Sequence, residues 1–435
     1  MNILSKRIEG IRKAGLYGYS GKIEKVVGLT IQTTGIPARL GALCSIHIEK
    51  EESLLSAEVV GFDGRKIFLM PLGSTDGIAS GNLVTLDNHD LSVGCSDKLL
   101  GRVIDGLGNP IDSKGDILPT EHYPLFGKPI SPLSRGIINE ALETGTKAID
   151  CFTTLGKGQK IGIFAGSGVG KSTLMGMLAR SSNADVNVIA LIGERGREVK
   201  EFIDRDLKEG LDRSVVVAAT SDQPPLVRRE AAFCATAIAE FFRDMGKDVL
   251  LVMDSVTRFA MAQREIGLSI GEPPSTKGYT PSVFSLLPRL MERAGKIDGS
   301  GSITAIYTVL VDADDFNEPI SDACRSILDG HIILSREIAE RGLYPPIDVN
   351  KSISRLMPYM RSKNEIHVAS KARYLKSVYN DNNDLIKIGA YKKGTDASID
   401  EAVIKVPKID NFLMQDFNER FSARESFDAL SETVK

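Results

Sequence analysis

Short runs of alternating apolar and polar residues mark the first part of the chain, from Gly18 to about Cys95. They recur at spacings of about ten residues and are separated by turns that contain Gly, Asp or Ser. The clearest runs are Gly21–Val27, Leu55–Val60, Lys66–Met70 and Asn82–Leu86. A series of short strands with this spacing predicts a small all-β domain, either a barrel or a sandwich.

The pattern changes between Gly136 and Leu343, where longer apolar runs alternate with stretches long enough to form crossover helices. Alternation of this kind predicts a parallel sheet covered by helices, hence an α/β domain. Pro224 and Pro225 stand where one crossover helix would begin, because proline is tolerated in the first helical turn. The predicted strands are Lys160–Ala165, Val186–Ile192, Ser214–Thr220, Val249–Met253 and Ile303–Val311.

Two further segments complete the predicted organisation. Four prolines follow Leu100–Asp112 and mark a connector: Pro119, Pro124, Pro129 and Pro132. Beyond Ile353 the chain is mostly polar and helical, which predicts a small α-helical domain. We therefore predict three domains: residues 1–95, a β-barrel domain with a short leading helix; residues 96–345, the α/β domain with its connector; and residues 346–435, the helical domain.

Composition narrows the class of protein. The chain has 435 residues, 42% apolar and 26% charged, and no apolar run approaches the roughly 20 residues that span a bilayer. The first residues do not form a secretory signal, and the five cysteines lack metal-binding or disulfide spacing, so we expect a cytoplasmic protein with reduced core thiols. The net charge of −3 provides no general attraction to nucleic acid or anionic lipid.

The segment Ala165-Gly-Ser-Gly-Val-Gly-Lys-Ser-Thr173 follows a predicted strand and precedes a predicted helix. Its glycines let consecutive backbone N–H groups turn towards phosphate oxygens, while the lysine meets the β- and γ-phosphates and the adjacent hydroxyl binds Mg²⁺. Ala165 replaces the usual first glycine, which weakens the match slightly, and a plain Gly-rich turn is the alternative. The nucleotide-binding residues predicted here are Gly166, Ser167, Gly168, Val169, Gly170, Lys171 and Ser172.

Asp254 directly follows the predicted strand Val249–Met253. An aspartate in this position fits the Walker B acid that holds Mg²⁺ or its water shell. Ligands collect where the strands of a parallel sheet end, so Asp254 can approach Lys171 despite their separation in sequence. The alternative is that Asp254 is only a helix N-cap.

Glu194 follows the predicted strand Val186–Ile192 at the same edge of the sheet. A carboxylate there can polarise the attacking water, and Arg195 or Arg197 can neutralise phosphate charge. Taken by itself, the segment Gly193–Val199 is equally consistent with a solvated charged turn.

Seven motifs together form a recognisable set: LGRVIDGLGNPID, RGIINEALETGTKAID, AGSGVGKST, ALIGERGREVKEF, LLVMDSVTRFA, GYTPSVFSLLPRLMERAG and LYPPIDVNKSISR. The combination closely resembles the type III protein-export ATPases, relatives of the catalytic subunits of rotary ATP synthases, and it covers about Gly18 to Asp400. GERGREVKEF and SVFSLLPRLMERAG look like the export branch, whereas synthase catalytic subunits typically carry GERTREG. The resemblance implies a RecA-like P-loop ATPase domain between a small β-barrel and a small α-helical domain.

The resemblance also implies a role for each matching residue. Lys171 and Ser172 become ligands of phosphate and Mg²⁺, with Thr173 near the α-phosphate. Glu194 becomes the carboxylate that activates water, and Asp254 becomes the Walker B acid that binds the metal. Because non-catalytic relatives carry an amide at the glutamate position, Glu194 itself predicts turnover.

Two further residues match the outer parts of the family's nucleotide site, and a third is added for its charge. Tyr344 corresponds to the aromatic residue that packs on adenine, and its alternative is an interdomain core tyrosine. Arg195 joins the nucleotide-binding set. Arg355 corresponds to the arginine finger that reaches the γ-phosphate bound by the next subunit, and its alternative is a surface ion pair.

The leading interpretation is an ATP-hydrolysing homo-hexamer, with ATP and Mg²⁺ bound, at the cytoplasmic base of a flagellar or virulence type III export apparatus. The implied partners are a stator-like regulatory subunit, a stalk-like subunit, the export gate and chaperone–cargo complexes, with peripheral association at the inner face of the cytoplasmic membrane. The alternatives are a catalytic subunit of a rotary ATP synthase, an RNA-translocating hexamer and a module that binds nucleotide without hydrolysis. Residues 1–95 contain ten basic and ten acidic side chains, which provides no basic track for nucleic acid.

The segment Ile3–Lys13 has basic residues beside apolar ones. This arrangement predicts a short amphipathic helix that docks on a stator-like partner or on membrane lipid. A frayed end is the alternative, because short isolated helices are marginal in water.

Overall fold

The computed structural model describes residues 19–48, 53–311, 316 and 318–435. The predicted helix over Ile3–Lys13 lies outside these residues. Across the described part of the chain, no helix combines the length and the apolar content that crossing a bilayer requires. The five cysteines are buried free thiols, as the sequence predicts: Cys44, Cys95, Cys151, Cys234 and Cys324.

The first strands of the described chain are β1 Ser20–Val27, β2 Thr30–Thr34, β3 Leu43–Ile48, β4 Ser53–Asp63, β5 Lys66–Pro71 and β6 Leu83–Leu86. They close into an antiparallel barrel in the order β1-β2-β5-β4-β3-β6, which decides between the barrel and the sandwich. Closure leaves no free strand edge in this part of the molecule. The interior is filled by apolar side chains such as Ile31, Ile46, Val59 and Leu69.

The remaining strands are β7 Ser92–Cys95, β8 Arg102–Asp105, β9 Glu121–Pro124, β10 Ala141–Leu142, β11 Leu155–Gly156, β12 Lys160–Ala165, β13 Val186–Ile192, β14 Ser214–Ala219, β15 Asp248–Asp254, β16 Gly295–Lys296, β17 Ser302–Leu310, β18 Gly330–Leu334 and β19 Ile353–Ser354. Most of them form one sheet in the order β19-β18-β12-β17-β15-β13-β14-β8. The pairs from β18 to β8 are parallel, so these strands all end at the same edge. We call this the carboxyl edge and the opposite one the amino edge.

The helices of the described chain are α1 Lys147–Phe152, α2 Lys171–Ser181, α3 Gly196–Glu201, α4 Pro225–Asp244, α5 Val256–Ser269, α6 Pro281–Met291, α7 Pro319–Ile327, α8 Arg336–Glu340, α9 Met357–Met360, α10 Lys363–Asp381, α11 Asn383–Lys387, α12 Ala397–Leu413 and α13 Ala423–Val434. A π-helix, Phe202–Leu207, continues α3. Pro225 opens α4 as predicted, and capping boxes at Ser362 and Ser422 begin α10 and α13.

Alternate residues of the central strands face two separate apolar cores. On β13, Val188 and Ala190 belong to the core that includes α4, α5 and α6. Ile189 and Leu191 belong to the core that includes α2 and the C-terminal helices. The sheet is therefore covered on both faces, which explains why its strands read as continuous apolar runs.

The predicted boundaries at residues 95/96 and 345/346 remain a proposal. The last barrel strand ends at Leu86, and β8, which begins at Arg102, already belongs to the central sheet. Between them lies β7, which pairs with β9, a strand that follows β8 in the chain.

A buried charge cluster fastens the barrel to the central domain. Arg229 of α4 donates from Nη2 to both carboxylate oxygens of Glu58 of β4, at 2.8 and 2.6 Å, and from Nε to Oε1 of Glu230 at 2.6 Å. All three side chains are buried. Burial raises the pKa of Glu230 to about 8, against the opposing charge of Arg229. The guanidinium therefore supplies a counter-charge to the Glu58 carboxylate and a hydrogen bond to Glu230 in this dry environment.

Replacing Arg229 with methionine is expected to lower the free energy of unfolding by about 3–5 kcal/mol, because the buried Glu58 carboxylate then loses its counter-charge and Glu230 loses its hydrogen-bond donor. Glu58→Gln is expected to cost less, since Arg229 keeps Glu230 as its partner. Urea denaturation of the nucleotide-free variants, followed by circular dichroism, measures both effects. Equal losses in the two variants would contradict a central role for Arg229.

Candidate active site

The P-loop lies between β12, which ends at Ala165, and α2, which begins at Lys171. Gly168 and Gly170 have φ values of +77° and +90°, in the left-handed region that glycine adopts without steric cost. Gly170 is also the N-cap of α2, so the loop delivers the chain directly into the helix. Phosphate placed here would face the free N–H groups and the positive end of the helix dipole.

Lys171, Glu194 and Asp254 converge at the carboxyl edge. The ammonium of Lys171 forms an ion pair with Oδ1 of Asp254 and lies 3.7 Å from Oε1 of Glu194. Thr308 on the neighbouring strand β17 donates to the same Oδ1 at 2.6 Å. Because β12, β13 and β15 are close in the sheet, residues that are distant in sequence form one cluster, as the sequence analysis expected.

Asp254 is not the N-cap that was its alternative role. Ser255 caps α5 instead, and its hydroxyl accepts a hydrogen bond from the backbone N–H of Arg258. Asp254 is nearly fully buried, and its carboxylate contacts Lys171.

A cavity of about 650 Å³ adjoins the start of the phosphate-binding helix. Gly170, Thr173 and Tyr344 line it from the central domain, and Phe417 lines it from the segment that follows α12. A Cβ on Gly170 would lie 3.7 Å from Cε1 of Tyr344, so the tyrosine ring stands against the P-loop. Tyr344 is 50% exposed and is therefore not a core residue. The sequence analysis did not identify Phe417, because no motif marks it.

The two arginines after Glu194 point to solvent. Arg195 pairs with Glu198 at 3.6 Å and Arg197 pairs with Glu201 at 2.9 Å, and both guanidinium groups are more than four-fifths exposed. The structure does not bring Arg195 into contact with the P-loop lysine, so its predicted place in the nucleotide site stays a prediction.

Arg355 lies at the amino edge of the sheet, whereas the P-loop lies at the carboxyl edge. Its backbone N–H donates to the carbonyl of Asp329, whose own N–H donates to the carbonyl of Lys160, the first residue of β12. From Lys160 to Ala165 the strand rises by roughly 16 Å, at about 3.3 Å per residue. The side chain is exposed, and no ion pair of Arg355 is found in the described part of the chain. Arg355 therefore cannot reach a phosphate bound by its own chain.

Three family models match consecutive parts of the chain. The beta-barrel domain of the ATP synthase alpha/beta family matches residues 23–86, and the nucleotide-binding domain of the same family matches residues 145–354. The T3SS EscN ATPase C-terminal domain matches residues 361–432. The third match separates this chain from synthase subunits, because its helical domain is of the secretion type.

Curated relatives match over nearly the full length. A flagellum-specific ATP synthase from Bacillus subtilis is 52% identical over 98% of this chain and 97% of its own length. The protein of the same name from Borreliella burgdorferi is 48% identical, over 96% and 95% respectively. This chain belongs to the flagellum-specific ATP synthase family.

A solved structure agrees with this assignment. The assembled ATPase EscN from the enteropathogenic E. coli type III secretion system is 44% identical to this family member, with a TM-score of 0.90 and coverage of 95% of this chain and 100% of that chain. The chain is accordingly an ATPase with the predicted three-part architecture. The export branch is favoured over the rotary synthase alternative.

Burial makes the side chain of Glu194 an unusually weak acid in this chain. The pKa of Glu194 is raised to about 7: burial is the largest cause, the charge of Lys171 opposes it, and the carboxylate of Asp254 adds to it. A carboxylate with a pKa near neutrality is suited to exchange a proton with water at physiological pH. The predicted acid–base role of Glu194 is consistent with this pKa and stays a prediction.

The pH dependence of turnover tests this acidity. For Mg-ATP at limiting concentration, log kcat/KM is expected to rise with a slope of about one up to roughly pH 7 and to level off above it, because the ionised form of Glu194 is required. Between pH 4.5 and about 7 the folded chain keeps a proton that the unfolded chain has released. Wild-type protein should therefore lose stability relative to Glu194→Gln across that window as pH rises. A kcat/KM that is flat through pH 7 would contradict the assignment.

The oxygen donors of the cluster fit Mg²⁺. Among the described residues, no group of three or more His, Cys, Asp and Glu side chains forms a closed metal cage. Mg²⁺ characteristically needs only one or two protein ligands beside substrate phosphates. Lys171 and Thr308 both bind Oδ1 of Asp254, so Oδ2 is available, and the hydroxyl of Ser172 is exposed in the first turn of α2.

Arg258, which the sequence analysis did not single out although it stands within the LLVMDSVTRFA motif, packs beside the Glu194 loop. It occupies the first turn of α5, and a Cβ on Gly193 would lie 3.0 Å from Cβ of Arg258, which places this arginine against the Glu194 loop. Its buried Nε has no hydrogen-bond partner among the described residues. A free donor at this position can meet phosphate charge.

Proposed function

We propose that this protein hydrolyses Mg-ATP as a homo-hexamer at the cytoplasmic base of a type III export apparatus of the flagellar kind, where it releases cargo from chaperones and powers or primes export. The proposal is supported by the convergence of Lys171, Glu194 and Asp254 at the carboxyl edge, which provides charge, base and metal ligand for phosphoryl transfer. The flagellar assignment is supported by relatives 52% and 50% identical that are named flagellum-specific.

The residues of the chain divide the work of hydrolysis. The loop amides and Lys171 grip the β- and γ-phosphates, so the lysine exchanges its Asp254 partner for the substrate. Glu194 orients the attacking water and accepts its proton on the carboxylate. Asp254 and Ser172 would hold Mg²⁺, which when bound neutralises charge on the phosphate oxygens.

The base of the nucleotide would occupy the cavity beside the P-loop. Tyr344 and Phe417 supply aromatic faces on which an adenine ring can stack. Thr173, whose hydroxyl is exposed at the start of α2, would lie near the α-phosphate. This arrangement places the triphosphate between the base cavity and Glu194.

The position of Arg355 supports a shared site. An arginine that completes the γ-phosphate site from the amino edge must belong to a neighbouring subunit, because its own P-loop is on the other side of the sheet. A closed ring in which every interface repeats this contact satisfies all subunits equally. Assembly would then switch hydrolysis on.

The partners extend the same proposal. A structure of EscN in complex with its central stalk EscO, 43% identical to this chain with a TM-score of 0.88, supports a stalk-like subunit for the present protein. We further propose a stator-like regulatory subunit, the export gate and chaperone–cargo complexes as partners, with cytoplasmic location and peripheral membrane association. Nucleic acid is not a proposed partner, since the net charge is −3.

Purification of the single polypeptide tests this function against the synthase alternative. An assembly made of this chain alone, sized by mass photometry with and without a non-hydrolysable ATP analogue, should hydrolyse ATP with turnover that rises steeply with protein concentration. Activity that requires a second, different nucleotide-binding subunit would favour a synthase and contradict the proposal.

A further inference from the structure

Lys208 links the base cavity to the segment that follows the catalytic glutamate. It directly follows the π-helix Phe202–Leu207, which itself continues α3 from the Glu194 loop. Its ammonium lies 4.9 Å from the ring centroid of Phe417 and donates to Oδ1 of Asn418 at 3.1 Å. The lysine side chain therefore contacts both Phe417, which lines the cavity, and Asn418, the next residue in the sequence. None of the motifs in the sequence marks this lysine.

The backbone of Lys208 adopts a conformation that favours glycine. Its φ and ψ are 48° and −126°, values at which a side chain crowds the backbone. A non-glycine residue persists in such a conformation when its surroundings hold it there, and these cases collect at functional sites. At Lys208 the surroundings are the contacts with Phe417 and Asn418.

The π-helix sets the distance between Lys208 and the phosphate-binding helix. A Cβ on Gly176 of α2 would lie 2.5 Å from the backbone oxygen of Asp206, so the two helices touch through a glycine. Thr173, at the start of α2, interacts with the carboxylate of Asp206. At the other end of α2, Arg180 donates to the backbone oxygen of Phe417. Arg180 of α2 therefore holds the backbone of Phe417. The ring of Phe417 is linked to α2 less directly, through Lys208 and the π-helix that packs against Gly176.

We propose that Lys208 is a positioning residue for the nucleotide base: its ammonium, anchored by Asn418, holds the Phe417 ring in place as the outer wall of the adenine cavity. The proposal rests on the proposed function, because it assumes that the base enters the cavity beside Tyr344. The cation acts on the face of the phenylalanine ring, while Asn418 fixes the direction of the ammonium. Lys208 does not touch the phosphates or the water and is therefore not a catalytic residue.

The test variant is Lys208→Gly, because glycine accepts this backbone conformation and removes only the side chain. Its KM for ATP is expected to rise about three- to five-fold with kcat retained, as loss of one cation–π contact predicts. Its melting temperature should not fall. Lys208→Arg should keep the wild-type KM, since a guanidinium can both stack on the ring and donate to Asn418.

Inhibition by inorganic tripolyphosphate distinguishes effects on binding of the phosphates from effects on binding of the base. Tripolyphosphate occupies the P-loop without a base, so its inhibition constant against ATP hydrolysis should be the same for wild type, Lys208→Gly and Phe417→Ala. The double variant Lys208→Gly/Phe417→Ala should have the KM of Phe417→Ala alone, because the lysine acts through the ring. Ser113→Gly, at another exposed residue with positive φ, and Lys200→Ala, an exposed lysine of α3, are matched controls that should leave KM unchanged.

Three outcomes would overturn the inference. An unchanged KM in Lys208→Gly, with KM raised in Phe417→Ala, would show that the ring needs no lysine and would leave the proposed function intact. A tripolyphosphate inhibition constant that weakens with KM would show that Lys208 acts on the phosphate site. An unchanged KM in Phe417→Ala would remove both the base cavity and the role of Lys208.

Discussion

Glu194→Gln is expected to bind Mg-ATP at least as tightly as the wild-type protein and to hydrolyse it about 10³-fold more slowly. The amide keeps the shape of the side chain but cannot accept a proton from the attacking water. Binding survives because Lys171 and the loop amides hold the triphosphate, and because one negative charge near the phosphates has been removed. Single-turnover hydrolysis and a fluorescent nucleotide titration measure the two quantities separately.

The matched control for this prediction is Glu201→Gln. Glu201 lies on the same segment and carries the same charge, but its partner is the exposed Arg197. Hydrolysis by this control should stay near the wild-type rate. Residual activity within ten-fold of wild type in Glu194→Gln would show that another group activates water.

Arg355→Ala is expected to lower kcat by about 10³-fold without lowering affinity for ATP, because an arginine finger acts on charge that develops in the transition state. Lys171→Ala should be inactive for a different reason, since its own P-loop no longer holds the β- and γ-phosphates. The two substituted residues lie at opposite edges of the sheet. In the proposed ring, each interface would bring Lys171 of one subunit together with Arg355 of its neighbour.

Mixing these two variants tests whether the site is shared. In randomly mixed rings, about one quarter of the interfaces combine an intact Lys171 from one subunit with an intact Arg355 from its neighbour. Activity should therefore recover towards a quarter of the wild-type rate when the pure variants are mixed. Mixed rings, verified by differently tagged subunits, that stay as inactive as either parent would exclude a shared active site.

Local patterns in the sequence predict most of the central domain. The strands β12, β13, β14, β15 and β17 lie within a residue or two of their predicted bounds, since each is a continuous apolar run bounded by turn residues. The spacing of glycines and Lys171 predicted the P-loop, and the rule that ligands collect where parallel strands end predicted that Asp254 and Glu194 lie near it. The structure places Lys171 between the two acids.

Other elements have no strong local pattern. The sequence of β2, Thr-Ile-Gln-Thr-Thr, is mostly polar, and it is a strand because β1 and β5 pair with it on both sides. β8 lies in a segment rich in Gly, Asp and Pro that reads as a boundary, and it becomes a strand by pairing with β14. Pairing between distant segments supplies hydrogen bonds that no short window contains.

The sequence by itself determined the family, the order of barrel, α/β and helical parts, and the residues Lys171, Glu194 and Asp254, because each rests on a short motif or on hydrophobic periodicity. Tertiary structure alone decided that the barrel closes, that Phe417 lines the cavity beside the P-loop with Lys208 against its ring, and that Arg355 lies at the opposite edge of the sheet from its own P-loop. The physical reason is that these features are distances between segments far apart in the chain, which packing and strand order create.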